Sequence, residues 1–204
     1  AVLIEEGRIA RIEETEALGN GRFDEVIDAR GNYVSPGFID IHNHGNFGHD
    51  VMEASFKALD SMARFHAKNG VTGFLATTIT SSTENIKKAI KNASDYISFQ
   101  EQDSGHTGAK GKTCGFKEEA GKKENLKAEL LGIYLEGPFF SIAKKGAQPS
   151  EYIKNPSVGE MESCIEASGH TVKIVSLAPE LPGAPEVISY LKSRGITVSA
   201  GHTD

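Results

Sequence analysis

Two cysteines in 204 residues, Cys114 and Cys164, are too few to staple a fold. One stands in a polar Gly/Lys-rich stretch and the other in a helical pattern, so a disulfide framework and a cysteine-based zinc spacing are both excluded. Both are expected as free thiols. Basic charge is also in short supply: 22 Lys plus Arg against 28 Asp plus Glu give a formal net charge of −6. That balance argues against a nucleic-acid partner, which needs clustered positive charge to displace counterions from phosphates. No apolar run approaches the roughly 20 residues that cross a bilayer. The opening AVLIEEGRIARIEE carries acids where a secretion signal needs a basic segment and then an apolar one. These absences lead to the expectation of a soluble, cytoplasmic chain with no nucleic-acid and no membrane partner.

What is present is an ordinary globular composition: a hydrophobic share of 38% alongside 22 Gly. Disorder along the whole chain is thereby excluded, and the length suffices for one large or two small domains. The chain starts without Met and stops at GHTD directly after an apolar strand pattern, so it is expected to be part of something longer.

From Val2 to Val34, short apolar segments (VLIEEGRIARI, then FDEVIDARGNYV) are split by glycines and acids, the pattern of a small antiparallel β module. After Ser35-Pro36-Gly37, strands alternate with helices, which favours parallel βα units. The strand FIDIHNH is followed by a helix with Phe56, Leu59, Ala63 and Ala67 near one face and an Asn69-Gly70 cap. Next comes VTGFLATTIT, then a helix with a capping box from Ser81 to Glu84 and apolar spacing through Ile86, Ile90, Ala93 and Ile97. Residues 101–128, rich in Gly and Lys and without apolar period, read as a mobile surface insertion to which no function is assigned. The rhythm resumes with LLGIYLEGPF, a helix opened by a capping box from Ser157 to Glu160 and ended near Gly169, and the strand VKIVSLAPE. A helix with Pro185 in its first turn and Gly195 at its end precedes a fifth strand, ITVSAGH.

In a strand, residues two apart share a face, so in FIDIHNH the set Asp40, His42 and His44 falls on one side and Ile39 and Ile41 on the other. The apolar layer is expected to face helices and the polar one to face inward. A lone His is more often structural, but two at i and i+2 at the end of an apolar strand can grip one ion. Glu136 ends a second strand and His202 a third, each with a glycine beside it. Three strands that each deliver a metal-type ligand at the C-terminal end form the constellation that a (β/α)8 barrel uses for its active site. The bland reading of Glu136 pairs it with Lys144 or Lys145. Gly137-Pro138 counts against that reading, because a proline ends the ladder and leaves the carboxylate at the strand's mouth. Thr77, Thr78 and Thr80 are candidates for lining a pocket, although β-branched residues belong in strands anyway. Glu180 reads as a turn residue as readily as a ligand. His49, His66, His106 and His170 are assigned no role.

At these residues the sequence resembles the N-acetylglucosamine-6-phosphate deacetylases of the amidohydrolase superfamily. The matching segments are NYVSPGFIDIHNHG, GVTGFLATTIT, GIYLEGPFFSIAKKGAQ, VSLAPE and GITVSAGHTD, in the family's order. LEGPF followed by KKGA is particular to this deacetylase, whereas PGFIDxHxH alone marks only the wider superfamily. The resemblance implies an α/β fold: an incomplete (β/α)8 TIM barrel of the metallo-dependent hydrolase type over 36–204, preceded over 1–35 by part of a small β-sandwich domain. It also implies hydrolysis of the N-acetyl group of N-acetylglucosamine 6-phosphate, a small-molecule amino-sugar phosphate, to glucosamine 6-phosphate and acetate in amino-sugar catabolism.

By the family pattern, Glu136 and His202 would ligate the principal divalent metal, and His42 and His44 would hold a further ion in members that bind two. Ala147 would contact substrate through its backbone, and Gln148 stands where some relatives have His. N and O ligands suit zinc first, with iron, manganese, cobalt or nickel as alternatives, in one or two ions. The family's later H-x-F/Y-N-A-M histidine and the Asp ending the eighth strand, which serves as acid and base, are expected beyond Asp204. The chain by itself is therefore expected to be inactive, and the complete protein to be a homodimer. The rival readings are another amidohydrolase such as a cyclic amidase, and a non-catalytic half barrel that binds metal or sugar phosphate.

Overall fold

The computed structural model describes residues 1–19, 21–105 and 126–204. Cys114, His106 and the central part of the expected insertion lie outside the described residues. The chain divides into two compact units, Ala1–Pro36 with Glu101–Glu124, and Gly37–Gln100 with Asn125–Asp204.

In the first unit, β1 (Val2–Glu5) and β2 (Arg8–Ile12) pair antiparallel, with Leu3 opposite Arg11 and a bulge before Ile4. The turn between them is made by Glu6 and Gly7, both at positive φ. The second expected strand, FDEVIDARGNYV, is not a strand. Val26 and Tyr33 are 77% and 103% exposed, and no described residue pairs with the segment. A strand pattern without a partner leaves its backbone donors and acceptors to water, and β propensity alone does not hold it extended.

The second unit is a sheet of five parallel strands wound in chain order: β3 (Phe38–Asn43), β6 (Val71–Thr77), β7 (Glu129–Glu136), β8 (Val172–Leu177) and β9 (Thr197–Ala200). Two short strands, β4 (Gly45–Asn46) and β5 (His49–Asp50), form a hairpin just after β3. Between the sheet strands run α1 (Phe56–Lys68), α2 (Thr83–Gly105), α3 (Val158–Ala167) and α4 (Ala184–Ser193). Strands in sequential order joined by helices are the winding of a (β/α)8 barrel, here with five of its strands.

Helix α1 forms because Leu59, Met62, Ala63 and His66 recur at three- and four-residue spacing and meet the sheet, all buried. Ser55 caps its N-terminus, its Oγ accepting from Ala58 N at 3.2 Å, and Asn69-Gly70 ends it with Gly70 at φ 80°. Burying Leu59 and Met62 contributes roughly 1.5–3 kcal/mol each. Helix α2 starts one residue later than the expected box: Ser82, not Ser81, caps it, accepting from Asn85 N at 3.3 Å. It runs to Gly105, so the first five residues assigned to the insertion are helical. Ser157 occupies the N-cap position of α3 without a side-chain cap bond, and the Glu160 side chain that would complete the box is engaged by Lys154 and by the Thr83 hydroxyl at 2.6 Å.

The core lies between the sheet and the helices, with Phe74, Ile133, Leu135, Val175, Leu177, Val187 and Leu191 almost without exposure. The central strand β7 is buried on both faces from Ile133 to Glu136, as parallel strands covered on both sides are. Burial falls away toward the edges. Ile39 and Ile41 of β3 are 62% and 54% exposed, so the helix cover expected for them is absent among the described residues: α1 packs against β6 instead. Cys164 is a free thiol buried in this core, and burial pushes its pKa up to about 11.

Candidate metal centre

The C-terminal ends of β3, β7 and β9 bring one carboxylate and three imidazoles together. Glu136, the last residue of β7, is 6% exposed. Its Oε2 lies 2.9 Å from His44 Nε2, and its Oε1 lies 3.5 Å from His42 Nε2 and 3.4 Å from His202 Nε2. The two β3-end rings stand edge to face, Nε2 to Nε2 at 3.3 Å. His42, His44 and Glu136 offer ligand atoms all within 4.8 Å of one another. All four expected ligands therefore meet. The carboxylate, rather than either histidine pair, is their common centre.

The sequence folds this way locally because neighbouring strand ends hold one another. The Thr77 hydroxyl accepts from Asn43 N at 2.9 Å and the Thr78 hydroxyl accepts from Glu136 N at 3.2 Å, which ties β3 and β7 to the end of β6. Thr77, Thr78 and Thr80 are all buried, so these residues brace the ligands and do not line an open pocket. Asp40, on the His42 face of β3, accepts from His42 N at 3.1 Å and from the Asn43 amide at 3.3 Å. Both glycines beside the ligands have steric reasons: a Cβ on Gly137 would overlap the Thr80 hydroxyl, and one on Gly201 would lie 2.5 Å from Ser176 Oγ.

His202 takes a left-handed backbone conformation at φ 50°, uncommon for a residue with a side chain. The loop after β7 holds it there. Ser141 N donates to the His202 carbonyl at 2.9 Å, and the Lys144 carbonyl accepts from His202 Nδ1 at 2.9 Å. A carbonyl can only accept, so Nδ1 carries a proton, and Nε2 is the ring nitrogen turned toward Glu136. Such outer contacts orient imidazoles that bind metals.

Within the cluster the carboxylate and its imidazoles shift one another. Burial pushes the Glu136 carboxyl up, but the hydrogen bond and charge of His44, with His42 and His202 behind it, pull it further down, to a net value below the usual range. His44 is raised, first by its hydrogen bond to Glu136, against the opposing effect of burial. A buried anion ringed by nitrogen donors at 2.9–3.5 Å fits a divalent cation in chemistry and in number of ligands.

The other expected residues separate. Ala147 is exposed in the loop after β7, whereas Gln148 is 4% exposed and touches Glu136. Lys144, offered as a partner of Glu136, instead lies 3.7 Å from Asp204. Asp204 also accepts from the Ser141 hydroxyl at 3.2 Å. Glu180 accepts from the Thr203 hydroxyl and from Asp204 N, which makes it a brace for the chain after His202. Two aromatic neighbours escaped the sequence reading: Tyr134, whose ring centroid is 4.7 Å from that of His42, and Phe140, 4.4 Å from that of His202. Tyr134 sits two residues before Glu136 and shares its face, so strand alternation could have found it.

Comparison with known proteins agrees with this geometry. The model of the amidohydrolase family matches residues 33–186. The chain is 38% identical over 201 residues to the N-acetylglucosamine-6-phosphate deacetylase of Bacillus subtilis, covering 98% of this chain and 45% of that protein. It is 33% identical to the N-acetylgalactosamine-6-phosphate deacetylase of Escherichia coli O157:H7, again over 98% of this chain and 45% of the relative. The crystal structure of the N-acetylglucosamine-6-phosphate deacetylase from Pasteurella multocida superimposes with a TM-score of 0.75 at 28% identity, covering 99% of this chain and 46% of that one. The chain thus spans less than half the length of the relatives it matches.

Proposed function

Because the chain belongs to the amidohydrolase family, we propose that Glu136, His202, His42 and His44 hold one or two divalent ions, with zinc as the preferred metal. On this reading the protein of which these residues are part removes acetyl from N-acetylglucosamine 6-phosphate to give glucosamine 6-phosphate and acetate. The observation that carries it is the buried Glu136 carboxylate with three imidazole nitrogens around it at the mouths of three strands. N and O donors suit zinc, with iron, manganese, cobalt and nickel as alternatives.

A bound divalent ion supplies an activated water and polarises the amide carbonyl. The chain's own residues set up that chemistry. Glu136 contributes the negative charge, and the Lys144 carbonyl keeps His202 Nε2 aimed inward. The Thr77 and Thr78 hydroxyls fix the strand ends. The main chain of Ala147, an exposed residue, is the proposed contact for the sugar phosphate. The proton that must pass from water to the leaving amine needs a positioned acid/base group. Asp204 is paired with Ser141 and Lys144, and among the described residues Glu136 is the acid in the cluster. By the family resemblance, the acid/base aspartate is placed outside these 204 residues, in the share of the relatives' length that this sequence does not span.

The relatives reported above are named deacetylases, so the cyclic amidase and the non-catalytic half barrel are not favoured. The galactosamine relative keeps the C4 epimer in view, and the higher identity to the glucosamine-named protein favours the latter. A cytoplasmic location, which the free thiol of Cys164 suits, and a homodimer are part of the same reading. The test is acetate release by a polypeptide that carries this sequence within the relatives' full length. N-acetylglucosamine 6-phosphate is expected to be the better substrate by kcat/KM. A preference for the galactosamine epimer, or for a cyclic amide, overturns the assignment.

A further inference from the structure

Gln148 was expected beside the substrate, but its amide is used at both ends inside the protein. It is 4% exposed; its Oε1 accepts from Thr80 N at 2.8 Å and its Nε2 donates to Glu136 Oε2 at 3.0 Å. The orientation of the amide is fixed by chemistry. A backbone N–H can only donate, so the oxygen must face Thr80 and the NH2 must face Glu136. The main chain of Gln148 is held as well, with its N–H on the Lys145 carbonyl at 3.0 Å and its own carbonyl accepting from Lys145 Nζ at 3.3 Å.

The geometry points to Gln148 as a positioning residue for the metal centre: it holds one oxygen of Glu136 and leaves the other, Oε1, to ligate. This inference rests on the reading of Glu136 as a metal ligand. An imidazole whose Nε2 lone pair binds an ion has no proton on that nitrogen to give to a carboxylate. Once His42, His44 and His202 serve as ligands through Nε2, none of them donates to Glu136 through that atom. Among the described residues Gln148 is then the side chain left donating to this carboxylate. It donates to Oε2, the oxygen that also lies 2.9 Å from His44 Nε2, whereas Oε1 faces His42 and His202. A carboxamide suits the position because it joins one acceptor and one permanent, uncharged donor. A glutamate there keeps the bond from Thr80 but sets a like charge against Glu136, and a methionine keeps the volume and loses both bonds.

The test titrates cobalt(II) chloride into the chain and into Gln148→Met and Gln148→Glu, with affinity read by competition against a chelator and the visible cobalt spectrum read at saturation. Both variants are expected to bind about 10- to 100-fold more weakly, the loss typical for a group that orients a metal ligand, with a changed cobalt absorption band. Circular dichroism of the metal-free proteins reports folding, and Gln148→Glu decides the matter if Gln148→Met does not fold. A folded variant with unchanged affinity and spectrum overturns the inference, as does failure of both variants to fold without metal, which would make Gln148 a purely structural residue. Failure of the unaltered chain to bind cobalt would instead overturn the metal reading on which the inference rests.

Discussion

The Lys144 carbonyl accepts a 2.9 Å hydrogen bond from His202 Nδ1, although the two residues are 58 positions apart in the chain. This bond keeps a proton on Nδ1 of a ring that the backbone holds at φ 50°, and it comes from the main chain of Lys144, not from its side chain. Lys144→Ala is therefore expected to leave metal affinity unchanged. His202→Ala should weaken it by more than the roughly 10- to 100-fold typical of a supporting group. Isothermal titration with zinc separates the two, and equal losses would show that the lysine side chain matters more than the carbonyl.

Gly137 follows the ligand Glu136 at φ 77°, and a Cβ there would overlap the Thr80 hydroxyl. Gly137→Ala is expected to destabilise the fold by at least about 2 kcal/mol, from overpacking added to a strained backbone. Urea unfolding monitored by circular dichroism measures it. A change near zero would mean that the β6 and β7 ends move apart freely.

Among the described histidines assigned no role, His66 is the buried one: it is 5% exposed on α1, its ring is 4.6 Å from that of Phe74, and its Nε2 has no hydrogen-bond partner among the described residues. Burial lowers its pKa below the ordinary value, only partly offset by Asp40. The folded state thus resists protonation while the unfolded state accepts it. Stability is untouched above about pH 7 and falls as pH drops through the unfolded value near 6.5, by at most about 1.4 kcal/mol per pH unit. His66→Phe should flatten the decline in unfolding free energy between pH 7.5 and 5. An unaltered slope would place the effect in other groups.

Local pattern was enough to read the parallel winding, because each βα unit states its own strand alternation, helical spacing and glycine stop. It was also enough to expect Glu136, His202, His42 and His44 at neighbouring strand ends, since a strand's end and its facing side follow from a period of two. The failures all depend on partners. FDEVIDARGNYV has strand composition but nothing described to pair with, and Ile39 and Ile41 have a core-type pattern on an edge strand without helix cover among the described residues. Ser157 forms no capping box, and Lys154 and Thr83 engage Glu160 from elsewhere in the fold. The placement of Gln148 against Glu136 requires the loop after β7 to fold back on the strand end and on Thr80, 68 residues away, which no local period encodes.

The carboxylate at the centre of the four ligands offers the most direct measurement. Glu136→Gln keeps the shape and the hydrogen-bonding reach of the side chain while removing the charge that three imidazoles surround. Zinc content after equilibration with zinc and exhaustive dialysis, read by plasma emission spectrometry, should show at least one ion per chain in the unaltered protein and a clear loss in the variant. Equal zinc in both would contradict the assignment of this cluster as a metal centre.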